Sequence, residues 1–234
     1  SSLSTFEKLN DHQIGLAEYL SNQWMVNANL ASNPVLDNFA QWTARQGLTS
    51  MASVRTVYQI AQLASGDRGR ISILRPRDFN MTQMKSDNIV LLGSERANPW
   101  QELIESQLRF QFGDDPKRNC PYFENSNPGP GKQAIYGCDS NFTYSRIAFV
   151  PNLAGIGNVL SVAGTDFEGT GGGGEFVTSE SSVEELLARA GKGHGARMPY
   201  FEALLKGSRV DGESSHLSII AFRLIQRAAS SHSQ

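Results

Sequence analysis

The segment Gly164-Thr165-Asp166-Phe167-Glu168-Gly169-Thr170-Gly171-Gly172-Gly173-Gly174-Glu175-Phe176-Val177 constrains this chain more than any other. It follows the apolar run Val159 to Ala163 and leads towards a helical pattern. Consecutive glycines let a backbone reach positive φ or approach a ligand closely. That composition predicts a flexible loop, ringed by the carboxylates of Asp166, Glu168 and Glu175. In an α/β fold the loop after a strand is where ligands bind.

Helical and strand patterns alternate through the middle of the chain. Ser4 to Leu20 reads as a helix, with Ser4 and Glu7 spaced as a capping box. A polar, loop-like stretch follows through Asn33-Pro34. Ser50 to Ser65 repeats Val54, Val57, Tyr58 and Ala61 at helical spacing, with Gly66 placed as its C-terminal cap. Ile71 to Leu74 reads as a strand stopped by Pro76, and Asn88 to Leu92 as a buried parallel strand. Asn98-Pro99 then starts a helix carrying Trp100, Leu103, Ile104 and Leu108. Phe110 and Phe112 alternate in a short strand, and 113–131 reads as an irregular insertion.

Further strands are expected at Ala134 to Tyr136, Tyr144 to Val150 and Val159 to Ala163. A helix is expected over Ser182 to Ala190, opened by Ser181–Glu184 or Ser182–Glu185 as a capping box and closed by Gly191. Phe201 to Val210 and His216 to Leu224 read as an antiparallel pair around Asp211-Gly212. The fold class expected is α/β: a three-layer sandwich with a Rossmann- or flavodoxin-like mixed sheet, a parallel centre and a C-terminal antiparallel strand pair. Residues 1–33 would form an N-terminal helical arm, 34–227 a single α/β domain and 228–234 a disordered tail.

Composition narrows the function classes. A net charge of −2 and a pI near 6.1 do not suggest a general nucleic-acid binder, which needs a basic face, and leave a local basic patch open. No apolar run approaches the roughly 18 residues of a membrane span. The chain begins Ser1-Ser2-Leu3 without methionine, as a trimmed or processed product would. Cys120 and Cys138 flank a segment rich in Pro, Gly and Asn. They are either a disulfide closing that loop or two free thiols; a disulfide would place the domain in an oxidising compartment. They do not make a zinc site, and no compact metal cluster or cofactor fingerprint is present.

Two loops carry candidate binding residues. In Leu92-Gly93-Ser94-Glu95-Arg96-Ala97-Asn98-Pro99 a strand ends and a helix begins. Ser94, Arg96 and Asn98 could hold an anion there, or the segment is simply a capped turn. In the glycine segment, Asp166, Thr170 and Glu175 are the candidates, with Glu175 expected near a helix N-terminus. If the two strands are parallel neighbours, both loops open onto one crevice and hold a small polar ligand. Gly129-Pro130-Gly131-Lys132-Gln133 and Gly155-Ile156-Gly157 fail the phosphate fingerprints. His12, His194, His216 and His232 form no triad, and no Gly-x-Ser-x-Gly elbow exists. Gly169-Thr170 with Glu175 resembles, loosely, the motif of Rossmann-like nucleoside and nucleotide glycosidases. That resemblance implies Glu175 as the acting carboxylate and Asp166 on a ribose hydroxyl.

Three blocks resemble a known family. They are Asn88 to Ser94 with Asn98-Pro99-Trp100 and Leu108 to Phe112; Val159 to Gly164 with Gly169-Thr170 and Gly174 to Thr178; and the closing strand pair. Over about residues 50–225 they are similar to an uncharacterised bacterial domain of predicted regulators, which carry a winged-helix DNA-binding segment and a membrane helix ahead of it. Relatives usually have Ala-Ala where this chain has Gly172-Gly173. The resemblance implies a non-catalytic, extracytoplasmic sensor domain of a membrane-anchored signalling protein. A glycosidase acting through Glu175 and a protein-interaction domain, with homo-oligomers, are the other expectations.

Overall fold

The computed structural model describes residues 1–22, 24, 33–64, 70–115, 120–130, 132–138, 141–193, 196–210, 213–214 and 216–226. The cap expected at Gly66, His194, the Asp211-Gly212 junction and the tail from Ala228 with His232 lie outside the described residues.

The chain is a mixed α/β fold. Among the described residues its main sheet has six strands: β1 (Ile89–Leu92), β6 (Asn158–Gly164), β5 (Phe142–Pro151) and β7 (Phe201–Val210) in that order, with β8 (Glu213–Ser214) and β9 (Ser218–Leu224) both pairing β7. β1 and β6 are parallel, with Ile89 opposite Val159 and Leu92 opposite Val162. β6–β5, β5–β7 and β7–β9 are antiparallel. The expected parallel centre is therefore one parallel pair at an edge. The reason lies in β5 and β6, which a short turn joins as a hairpin and so forces antiparallel. β1, expected to be buried on both faces, is covered on one: Ile89 and Leu91 are buried and Val90 is 41% exposed.

A second sheet of three strands, β2 (Phe110–Asp115), β3 (Cys120–Asn125) and β4 (Ile135–Gly137), replaces much of the expected irregular insertion. β2 and β3 pair antiparallel from Phe110–Asn125 to Asp115–Cys120. Cys120 and Cys138 are bonded to each other, with Cα atoms 5.0 Å apart. The link ties the start of β3 to the end of β4.

Strand alternation assigns the two faces of the main sheet. Ile147, Phe201, Ala203 and Leu205 pack with Phe176 and Leu186 from α7 (Phe167–Thr178) and α8 (Glu180–Arg189). Ala148, Val150 and Val159 face the other way, onto Trp100, Ile104 and Leu108. Tyr144, Ala163 and Leu204 meet Phe110, Phe123 and Tyr136 of the small sheet. Gly191 follows α8 at φ 65 as expected, but neither expected capping box forms: Ser179 is the N-cap and Ser182 is buried inside the helix.

The N-terminal region differs from its expected single helix. α1 (Ser2–Asn10) ends at Asp11 in the left-handed region, and α2 (Leu16–Ser21) restarts after Gly15. Ser1 and Ser4 form the capping box, not Ser4 and Glu7. Glu7 is freed to turn inward and accepts from the Ile14 backbone at 2.9 Å. α3 (Pro34–Gln46) follows, capped by Asn33, over residues to which the sequence assigned no element. α4 (Met51–Ala64) matches its expected span, with the Ser53 N–H donating to Ser50 Oγ. Ile71 to Leu74, expected as a strand, runs without a ladder partner and is exposed. A short helix, α5 (Met81–Ser86), leads into β1, and a 3-10 turn over Pro99–Gln101 leads into α6 (Glu102–Glu105).

Candidate functional site: a groove at the ends of the parallel strands

The glycine segment is a helix, not a loop. Asp166 caps α7, its Oδ1 accepting from the Gly169 N–H at 2.7 Å. The glycines face neighbours too close for a side chain. A Cβ at Gly169 would strike the Tyr144 carbonyl, at Gly173 the Ser145 hydroxyl and at Gly174 Thr56 of α4. Helix propensity opposes this run by about 1 kcal/mol per glycine. Close packing of α7 on β5, β6 and α4 overrides it.

α7 runs back from the C-terminal end of β6. Ala52 lies against Gly171, Thr56 against Gly174, and Thr178 Oγ1 donates to Gln59 3.5 Å away. α4 therefore runs in the same direction as α7. Its N-terminal end sits at the C-terminal ends of β1 and β6, and its body descends alongside the sheet.

A groove of about 1370 Å³ opens at this end. Ser94, Arg96, Asn98, Asp166 and Thr170 all line it. Ser94 lies in the turn after β1, where its carbonyl accepts from the Ala97 and Asn98 N–H groups at 2.8 and 2.9 Å. Asn98 caps the following turn by accepting from the Trp100 N–H at 3.3 Å. Arg96 is held from behind by the buried Glu7 at 3.1 Å and by Asp114. Thr170 Oγ1 accepts from the Gly164 N–H at 3.1 Å and donates to the Asp166 carbonyl at 3.0 Å. The Asp166 carboxylate also accepts from Thr143 Oγ1 at 2.7 Å and pairs with Arg209.

Glu175 is elsewhere. It sits in the last turns of α7, not near the helix N-terminus, and does not line the groove. Its side chain is 56% exposed and pairs with Arg55 at 3.2 Å. The expectation failed with the loop: once the glycines are helical, Glu175 is turned away from Asp166 and towards solvent.

Arg209 is a groove residue that sequence reasoning missed. It stands near the end of β7, and β7 reaches the groove only through the registers Phe142–Ser208 and Ser145–Gly164. No local motif carries that information. Lys8, Arg75 and Arg77 also line the groove, from α1 and from the segment before α5. Gly47 packs against the Arg75 side chain, and Arg77 donates to the Ala44 carbonyl at 2.7 Å. Both contacts place these arginines at the C-terminal end of α3, just ahead of α4 in the chain.

Behind the groove lies a set of buried charges. Arg146 is fully buried, pairs with Glu105 and donates to the Phe110 carbonyl at 2.7 Å. Glu202, also fully buried, accepts from the Arg109 and Phe110 N–H groups, both at 2.9 Å, and from Arg223 at 2.6 Å. Glu95, between Ser94 and Arg96, has its pKa pushed up to about 7 by burial and then by the Glu105 charge. Among the described residues no group of His, Cys, Asp and Glu side chains could hold a metal ion, and no helix is long and apolar enough to cross a membrane.

Comparison with protein-family models, with curated proteins and with solved structures finds no match.

Proposed function

We propose that this chain is a non-catalytic ligand-binding domain, the sensing part of a regulatory protein, with its site in the groove at the ends of β1 and β6. One observation carries the reading: parallel pairing of these strands sets the Ser94–Asn98 turn beside the start of α7, so both line one concave surface. Ligands of α/β sheets bind outside the carboxyl ends of parallel strands. The same pairing supports reading the sheet as a variant of a Rossmann-like sandwich.

Sensing suits the chemistry better than catalysis. Polar side chains of the groove serve in caps and ion pairs that fix the turn after β1 and the start of α7, and Glu175 points out of it. A glycosidase would need that carboxylate against the substrate. A ligand bridging the turn after β1 and the start of α7 would favour the conformation in which they are close, and so shift a two-state equilibrium. A sensor exposed outside the cytoplasm would be consistent with the Cys120–Cys138 link.

Thermal denaturation across a panel of metabolites tests this. A ligand at a hundred times its Kd stabilises by about 2.7 kcal/mol. The shift should disappear in Ser94→Trp, which crowds the groove at the turn after β1. A ligand that stabilises both proteins equally binds elsewhere, and the reading fails.

A further inference from the structure

We infer that the groove takes an amphiphilic anion, a single hydrocarbon chain ending in a phosphate or carboxylate; this deepens, and rests on, the binding site proposed above. At about 1370 Å³ the groove exceeds the roughly 300–1,000 Å³ that suits drug-sized molecules. A small polar metabolite would leave most of it empty. Its two ends also differ in chemistry.

The upper end, at the C-termini of β1 and β6, is polar and cationic. Arg96, Arg209, Arg75, Arg77 and Lys8 line it; Asp166, the one lining carboxylate among the described residues, pairs with Arg209, which Glu168 also holds at 2.9 Å. The acids that hold Arg96, namely Glu7 and Asp114, lie behind it and do not line the groove. Arg75 is likewise held by Asp78 from outside the lining, with Nε–Oδ2 at 2.6 Å. Arg96 binds its acids through Nε and Nη1, and Arg75 through Nε and Nη2; guanidinium groups held in place in this way suit an oxyanion.

The lower part is apolar. Val54, Val57, Ile60 and Ala64 line it from one face of α4 as that helix descends. Val90 and Leu92 of the edge strand form the opposite wall, and Ile71, Ile73 and Leu74 run between. Val54 is 45% exposed, Ile71 48%, Ile73 68%, Leu74 42% and Val90 41%. These side chains are not scattered singly over the surface, as exposed apolar residues usually are, but line one trough; such a patch marks a binding surface. From Val54 to Ala64 the helix runs on the order of 15 Å. That is long enough for an alkyl chain lying below a head group at the cationic end.

The experiment is calorimetric titration of the full chain with octyl, decyl and dodecyl phosphate, each below its micelle-forming concentration. Inorganic phosphate and dodecyltrimethylammonium are titrated alongside. A fully buried methylene is worth about fourfold in Kd. The expected result is at least a tenfold tightening from octyl to dodecyl phosphate, with dodecyltrimethylammonium at least tenfold weaker than dodecyl phosphate. Ile73→Asp, at an exposed trough position that leaves Tm unchanged, should weaken dodecyl phosphate at least tenfold. If inorganic phosphate binds as tightly as the alkyl phosphates, the trough is overturned while the ligand site stands. Equal affinity for both head-group charges overturns the anionic assignment. Capture on phosphatidylglycerol vesicles without binding of monomeric dodecyl phosphate overturns the single-chain ligand in favour of a membrane surface. If neither these probes nor any metabolite of the thermal panel binds, the groove itself is not a site.

Discussion

Gly172 and Gly169 share a helix but face different neighbours. A Cβ at Gly169 meets the backbone of Tyr144, which cannot move without breaking the β5 ladder. One at Gly172 meets the Cδ1 end of Leu217, which can rotate. Gly169→Ala should therefore lose about 2 kcal/mol by overpacking. Gly172→Ala should be neutral or gain up to about 1 kcal/mol from helix propensity. Urea denaturation of the two variants checks the contrast, and equal effects would contradict the packing account. Here the sequence misleads for a physical reason. Glycine signals both flexibility and close approach, and only the identity of the neighbour distinguishes them. Asp166 followed by the Gly169 N–H was a legible helix start, but the glycine run outweighed it.

Glu95 gives a second prediction at this scale. Its folded pKa of about 7 stands above the usual 4.5, because burial and then Glu105 disfavour the charged form. A raised carboxyl pKa contributes stability in full below about pH 4.5 and loses it as pH rises through about 7. Glu95→Gln should accordingly gain on the order of 2 kcal/mol over the parent chain near pH 8.5, discounted for partial exposure, and nothing near pH 4. Chemical denaturation at several pH values reads this directly. A gain independent of pH would assign the effect to something other than ionisation.

Among the elements, strands were more legible than helices or their caps. β5, β6, β7 and β9 carry long apolar or alternating runs, and they form close to where those runs lie. Ile71 to Leu74 has the same pattern but no ladder partner, although β1 leaves an open edge. α3 was missed because Phe39 and Trp42 stack on each other at its surface while small residues, Ala40 and Ala44, pack inward. The β2–β3 hairpin was hidden by its polar continuation, Gly113-Asp114-Asp115 opposite Tyr122-Pro121-Cys120. Its disulfide predicts a loss of about 3 kcal/mol in the Cys120→Ser, Cys138→Ser double variant, by the loop entropy returned to the unfolded chain. A denaturation midpoint unchanged by the double substitution would show that the hairpin stands without the link.

At the scale of the molecule, what joins the small sheet to the main one is charge as much as apolar contact. The first residues of β2 have no ladder partner on the main-sheet side. Arg146 and Glu202 reach across instead: the guanidinium donates to the Phe110 carbonyl, and the carboxylate accepts from the Arg109 and Phe110 N–H groups. Sequence reading could not find this, since Arg146 sits in an apolar strand and its partner Glu105 closes a distant helix. Removing Arg146 leaves Glu105 and the Phe110 carbonyl without their buried partner, the case in which breaking a buried pair costs about 3–5 kcal/mol. Arg146→Leu should thus be among the most destabilising single changes. Glu175→Gln, which loses one exposed pair with Arg55, should stay within about 0.5 kcal/mol. Both can be read from urea midpoints, with near-ultraviolet circular dichroism following the Phe110, Phe123 and Tyr136 cluster. If Arg146→Leu unfolds with the parent midpoint, the small sheet is held by its apolar face alone, and the groove behind which these charges lie owes them nothing.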